Sequence, residues 1–192
     1  MSSLWDEQDH VWLRAALDAP TVDQFRAIGD VAENAGKRLP RTTRLAAALS
    51  ELTREVCRVF PGYRPVRVVA FDKSERRNWQ VPWHQDRVIA VQEYAPANGF
   101  SNWSKKADLW HCEPPVAVLE NMLFTRVFLD RCSAESGAMT FARGSHEEGL
   151  VSAQAAAEVA SKYPEDAETA QAGDILILPM LTLHRSQPGQ SS

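Results

Sequence analysis

Apolar positions in the first sixty residues return at helical intervals. In TTRLAAALSELTREVCRVF, Leu45, Leu49, Leu52, Val56 and Val59 recur every three or four residues, which predicts an amphipathic helix with one face packed on a sheet. Pro61-Gly62 ends it. VWLRAALDA and TVDQFRAIGDVAENAGKRL, the second opened by Thr21 as a cap, read as two further helices. From Arg64 the texture changes to short β-branched and aromatic runs broken by turn residues: RPVRVVAF, NWQVPWHQD, RVIAVQEY, MLFTRVFLD, AMTFAR, DILILP and LTLHRS. Their irregular spacing, with a long insertion APANGFSNWSKKADLWHCEPP, suits a jelly roll better than a regular meander or a parallel α/β sheet. One helix, SAQAAAEVASKY, interrupts the strands near the end. We therefore expect one α+β, mainly β domain over 1–192. A helical layer at 1–60 packs on one sheet of a double-stranded β-helix at 64–192.

Composition narrows the function classes. A formal charge of −4, with Lys and Arg scattered along the chain, offers no footprint for a nucleic acid. The opening MSSLWDEQDH carries charge where a signal peptide needs an apolar run, and no stretch reaches the roughly eighteen apolar residues of a membrane span. Cys57, Cys112 and Cys132 are odd in number and lack CxxC spacing, so they read as reduced thiols. The expectation is a cytoplasmic protein acting on a small molecule, with no nucleic-acid or membrane partner.

The candidate chemistry lies in the histidines. A His-x-Asp pair on a strand aims an imidazole and a carboxylate at one point, because the strand period is two. A second His from a distant strand completes a 2-His-1-carboxylate facial triad, which leaves coordination positions open for a keto acid and O2. His84, Asp86 and His184 fit this arrangement. With five histidines in the chain, one such spacing arises readily by chance, so context must carry the reading. His111-x-Glu113 and His146-x-Glu148 are rivals. The first precedes Pro114-Pro115, which argues against a regular ladder there, and the second follows Gly144-Ser145 in a turn.

Three segments together resemble the phytanoyl-CoA dioxygenase-like branch of the Fe(II)/2-oxoglutarate oxygenases, over about Arg64 to the end. NWQVPWHQD looks like that family's HxD strand, FLDRCSAESGAMTFARGSHEEG like its "LD…NGx…PGSH…G" segment, and AGDILILPMLTLHRS like its "GD…H.S" segment. The resemblance implies Fe(II), 2-oxoglutarate and O2 as cofactors, with His84, Asp86 and His184 as iron ligands and Gln85 and Ser186 at positions that touch 2-oxoglutarate. It also implies decarboxylation of the keto acid to succinate and CO2 coupled to hydroxylation of a C–H bond. The chain departs from the family pattern at Ser136-Gly137-Ala138 and Ala142-Arg143. The family's Arg about ten residues beyond the distal His has no counterpart before Ser192. We expect the last strand, with that Arg, to lie beyond Ser192. The alternatives are another cation that takes its place or a loss of the reaction.

Arg126 lies inside the apolar strand MLFTRVFLD and needs a partner: Asp130 or Glu120 for a structural role, or a carboxylate of substrate or 2-oxoglutarate. Gln85 alternates away from its neighbours if the strand is regular, whereas Ser186 shares the face of His184. Trp83 builds core or walls a substrate pocket. His111 is a loop residue or a lid group over the metal, and His146 closes the turn after Gly144-Ser145. Two rival functions remain: a catalytically silent jelly roll that binds a small ligand, and a Zn or Mn enzyme of the cupin kind, against which an Asp in the triad counts.

Overall fold

The computed structural model describes residues 5, 8–28, 36–39, 42–71, 79–106, 108–133 and 137–188. Twelve strands and four helices alternate through them. The strands are β1 (Val11–Leu13), β2 (Lys37–Arg38), β3 (Val69–Ala70), β4 (Val81–His84), β5 (Ile89–Val91), β6 (Ser101–Lys106), β7 (Leu109–Glu113), β8 (Leu123–Val127), β9 (Met139–Ala142), β10 (Glu165–Ala167), β11 (Ile175–Pro179) and β12 (His184–Ser186). The helices are α1 (Ala19–Ile28), α2 (Thr43–Cys57), α3 (Val116–Leu119) and α4 (Ala156–Ala160). All strand pairings are antiparallel, in sheets of order β1-β11-β8, β10-β9-β12-β4, β5-β7-β6 and β2-β3.

Two of these sheets face each other, and β11 shows how the sequence arranges it. Its run ILILP is buried on both faces. Ile175 and Ile177 point to one side, where they join Leu45, Ala48 and Val56 of α2 and Val22 and Phe25 of α1. Leu176 and Leu178 point to the other and meet Met139 and Phe141 of the four-stranded sheet. That sheet turns its outer face, with Ala142, Leu183 and Trp83, to Ala156 and Ala160 of α4. The order of layers is thus helices, three-stranded sheet, four-stranded sheet, helix. Alternation of side chains at a period of two places each residue in its layer.

The helix over Thr43–Cys57 forms as its periodicity predicts, and the Thr42 hydroxyl caps it by accepting from the Leu45 amide at 3.1 Å. Several expectations fail, for identifiable reasons. VWL is a strand and not the start of a helix. Trp12 stacks on Phe128 between the sheets while Val11 and Leu13 face the helices, so this apolar triplet is half-buried on both sides. The layer at 1–60 is accordingly not all helical. Asp18, not Thr21, caps α1, accepting from the Thr21 amide at 3.0 Å. In SAQAAAEVASKY only Ala156–Ala160 is helical. The long insertion is no loop: β6 and β7 within it form a hairpin that β5 extends to a third strand. His111 and Glu113 lie on its ladder, because Pro114-Pro115 follows the last paired residue and so deletes no bond from it.

Gly173 fixes the approach of the N-terminal segment to β11. Its φ is +90°, its carbonyl accepts from the Leu17 amide at 3.0 Å, and an added Cβ would lie 2.4 Å from the Leu17 carbonyl oxygen. The neighbouring Asp174 carboxylate accepts from the Ala15 amide and from Arg14, both at 2.8 Å. Gly173→Ala combines positive-φ strain, about 1–3 kcal/mol, with a backbone clash. A clear fall in the urea midpoint is expected, and an unchanged midpoint would contradict this close approach.

Candidate metal centre

Two histidines meet across one pair of strands. His184 on β12 stands directly opposite His84 on β4, and their ring centroids are 4.3 Å apart. Both face the gap between the sheets, since His184 also pairs with Phe141 and rests 5.0 Å from the Phe124 ring of the three-stranded sheet. Their Nδ1 atoms lie 2.8 Å from the Pro82 carbonyl and 3.0 Å from the Thr182 carbonyl, each two residues back along the same chain. A carbonyl only accepts, so Nδ1 carries the hydrogen, and in the neutral ring Nε2 keeps its lone pair. That is the tautomer a metal needs.

Burial maintains it. His184 is 5% exposed, and its pKa falls from 6.5 to about 4 because desolvation opposes the charged ring; the charge of His84 adds to this and that of Asp86 works against it. Asp86 therefore acts on the same imidazole, but it stands beyond the strand, which ends at His84. Its carboxylate lies 4.0 Å from Arg67 Nη1. The expected strand geometry for the pair is thus corrected: the chain leaves the ladder between His84 and Asp86. Among the described residues no three His, Cys, Asp or Glu side chains are gathered closely enough to hold a metal as they stand. The donor types fit iron, with two imidazoles in place and the carboxylate drawn toward Arg67.

Neighbouring side chains hold the strand ends. Ser145, fully buried, donates to the Ala142 carbonyl at 2.7 Å and accepts from the Leu183 amide at 2.9 Å, fastening the residue before His184. Gln85 does the same from the other strand. Its Nε2 donates to the carbonyls of Leu181 at 2.7 Å and Gly149 at 2.8 Å, and its Oε1 accepts from Val151 N at 2.9 Å. The expected contact of Gln85 with 2-oxoglutarate is corrected accordingly, because the amide is spent on the backbone of two loops. Ser186 stands opposite Met139, on the inward face it shares with His184.

Arg126 also faces the gap, opposite Leu176. Its partner is neither Asp130, which pairs with Arg26, nor Glu120, but the fully buried Glu168 at 3.2 Å. Glu168 accepts from the Met139 amide at 3.0 Å as well, so the pair joins one sheet to the other. Sequence reasoning missed Glu168 because EDAETAQAG mixes polar residues with alanines and has no large apolar residue to show which side chain turns inward. Trp83 points away from the site, onto α4, under Arg185 at 4.7 Å, which corrects its role as a pocket wall. His111 is neither in a loop nor exposed. It is 1% exposed on β7, its Nδ1 is 3.0 Å from the Leu109 carbonyl, and with Arg67 it lines a cavity beside α2. His146 lies in the 3-10 turn Ser145–Glu148 after Gly144 at φ +81°, as its motif suggests, and burial lowers its pKa. Ser136 is outside the described residues.

The family model for phytanoyl-CoA dioxygenase matches residues 9–192. The chain belongs to the phytanoyl-CoA dioxygenase family. Members are non-haem iron, 2-oxoglutarate-dependent enzymes, and this chain is one of them, using Fe(II), 2-oxoglutarate and O2. Solved structures with a similar fold include the non-haem α-ketoglutarate-dependent carbocyclase SnoK from nogalamycin biosynthesis, at 17% identity and TM-score 0.63 over 97% of this chain and 76% of that one. AviO1 from Streptomyces viridochromogenes Tue57 is similar at 16% identity and TM-score 0.62, over 98% and 86% of the two chains. HygX from Streptomyces hygroscopicus with iron bound gives 13% and 0.59, over 98% and 79%. No curated protein sequence matches the chain. No helix among the described residues is long and apolar enough to cross a membrane, and no disulfide joins the three cysteines.

The depressed pKa of His184 links the site to stability. With about 4 folded and 6.5 unfolded, the folded state takes up the proton less readily. Stability is therefore retained above about pH 6.5 and lost as the pH falls toward 4, on the order of 1 kcal/mol per pH unit in that window. Urea titrations of chelator-treated protein between pH 7 and 4 should show this slope, and His184→Gln should flatten it.

Proposed function

We propose that this chain is a single-domain jelly-roll oxygenase that hydroxylates a small or medium organic molecule, with His84, Asp86 and His184 as the iron ligands. The observation that carries the proposal is the pair of facing imidazoles, both with Nδ1 bonded to carbonyls of their own strands, which leaves Nε2 of each neutral ring as the lone-pair donor. Asp86, just past the strand end and felt electrostatically by His184, completes the set by turning from Arg67 toward the two rings. Two facing antiparallel sheets with helices outside them support the jelly-roll reading. HygX has been solved with nickel, 2-oxoglutarate and hygromycin B bound, which agrees with a small-molecule substrate. A cytoplasmic setting suits three cysteines that form no disulfide.

Bound at this site, iron would supply the coupled oxidation in which 2-oxoglutarate and O2 give succinate and CO2 while a substrate C–H becomes C–OH. The chain's own residues do the rest. Phe124 and Phe141 exclude water from the buried side of His184. Arg126 receives the far carboxylate of 2-oxoglutarate. Its Nε is held by Glu168 and its Nη1 reaches only the Met139 sulfur, at 3.9 Å, so Nη2 has no hydrogen-bond partner among the described residues. A guanidinium steadied through Nε presents its terminal nitrogens as a fork matched to a carboxylate. Ser186, on the same inward face, lies within reach of the same cosubstrate.

One assay tests this reading. With Fe(II), ascorbate and 2-oxoglutarate, the purified protein should release succinate slowly without any other substrate. His84→Ala should abolish the release, and Arg126→Gln should raise the KM for 2-oxoglutarate about tenfold, the effect of losing one charge-assisted contact of about 1.4 kcal/mol. Succinate release that persists undiminished in His84→Ala would overturn the assignment of the ligands.

A further inference from the structure

Beside the two imidazoles lies a hydroxyl that bonds to nothing. Thr182 is 1% exposed, and its Oγ1, closed to solvent, has no hydrogen-bond partner among the described residues. The carbonyl of the same residue, by contrast, receives the His184 Nδ1 hydrogen. Between the two, Leu183 is tied to β9, its carbonyl accepting from the Ala142 amide at 2.9 Å, and its side chain packs outward on α4. Side chains alternate along an extended segment, so Thr182 shares the inward face of His184. A buried hydroxyl without a partner destabilises a fold, and valine, of nearly the same shape, would remove that penalty. A threonine here is explained by a second arrangement in which its hydroxyl is paired.

Asp86 is the complementary group. Its carboxylate forms no hydrogen bond with the described residues, and at 4.0 Å from Arg67 Nη1 it stands at the outer limit of an ion pair. The two segments run side by side. His84 stands opposite His184, and one step further on Gln85 Nε2 donates to the Leu181 carbonyl at 2.7 Å, which brings the residue after Gln85 to the level of Thr182. The charge of Asp86 is accordingly felt at His184. Other polar groups at that level are occupied: the Gln85 amide serves Leu181, Gly149 and Val151, and His184 Nδ1 serves the Thr182 carbonyl. Because Oγ1 is closed to solvent, a partner from the chain itself is favoured over an arriving ligand. An aspartate that binds a metal through one oxygen keeps the other as an acceptor, and ligating carboxylates are held in turn by hydrogen bonds from their neighbours.

We infer that the Thr182 hydroxyl is the donor that receives the Asp86 carboxylate when it leaves Arg67, and so fixes it beside His84 and His184 as the third ligand. Thr182 is then a positioning residue, which acts through Asp86 and touches neither metal nor substrate. The inference rests on the reading of Asp86 as an iron ligand proposed above.

Nickel(II) is the probe, titrated by calorimetry into the full chain after chelator treatment. Thr182→Val should weaken Ni(II) binding about tenfold, whereas Thr182→Ser, which keeps the hydroxyl, should stay within about threefold of the wild type. Neither change removes the main-chain carbonyl that orients His184. In an Asp86→Ala background Thr182→Val should weaken Ni(II) no further, because the carboxylate it serves is gone. Without metal, the Thr182→Val chain should show a urea midpoint at or above that of the wild type, since it loses an unpaired hydroxyl. Unchanged Ni(II) affinity in Thr182→Val, an equal loss in the Asp86→Ala background, or a lower metal-free midpoint overturns the inference. Should Thr182→Val fail to fold, Thr182→Ala serves for the two affinity comparisons with the same expected results. A wild type that binds no Ni(II), or Asp86→Ala with wild-type affinity, refutes the ligand reading and this inference with it. A loss in Asp86→Ala without one in Thr182→Val refutes this inference alone.

Discussion

The site depends on register. β12 pairs with β4 so that His184 falls opposite His84, and the same strand pairs with β9 so that His184 falls opposite Phe141. A slip of β12 by one residue would turn His184 toward α4 and bring Leu183 into the gap between the sheets, and the same slip of β4 would exchange His84 for Trp83. The hydrophobic pattern forbids that slip, since Leu183 and Trp83 already complete the packing against α4. Ser145 and Gln85 then fasten the strand ends at the level of individual hydrogen bonds. Apolar burial chooses the register, and polar side chains secure it.

Between the sheets, apolar and charged groups divide the space. Leu176, Leu178, Met139 and Phe141 fill one part of the gap. Arg126 and Glu168 occupy another, and each is anchored to a different sheet. Burying an ion pair is costly unless further hydrogen bonds support it. Here the Met139 amide supplies one for Glu168, while the 32% exposure of the Arg126 side chain keeps that end of the pair hydrated. The gap is therefore dry where it holds the fold and polar where it adjoins the histidines.

Much of this was legible in the sequence where a pattern was long or a motif was ordered. The stripe from Leu45 to Val59 predicted α2, and the three ordered segments led to the family. Short elements were less visible. VWL has too few residues to show a period, so its neighbours in RAALDA drew it into a helix that does not form. The hairpin at β6 and β7 mixes lysines, serines and tryptophans, because its two faces meet different surroundings. The partner of Arg126 could not be read from spacing at all, since Glu168 lies forty-two residues away, just past the end of β10, and only folding brings it near. Gln85 was misjudged for a related reason: its place between two candidate ligands suggested chemistry, whereas its amide serves loops at Gly149 and Leu181.

The two metal-facing imidazoles are oriented by the carbonyls of Pro82 and Thr182, and His111 repeats the device with the carbonyl of Leu109. A main-chain oxygen is present whatever the residue that carries it. Ring orientation at these positions is thus indifferent to the identity of the surrounding side chains and answers only to the path of the backbone. The loops around the gap are free to vary in composition and length, and so to admit different molecules, without retuning the two bases at its floor.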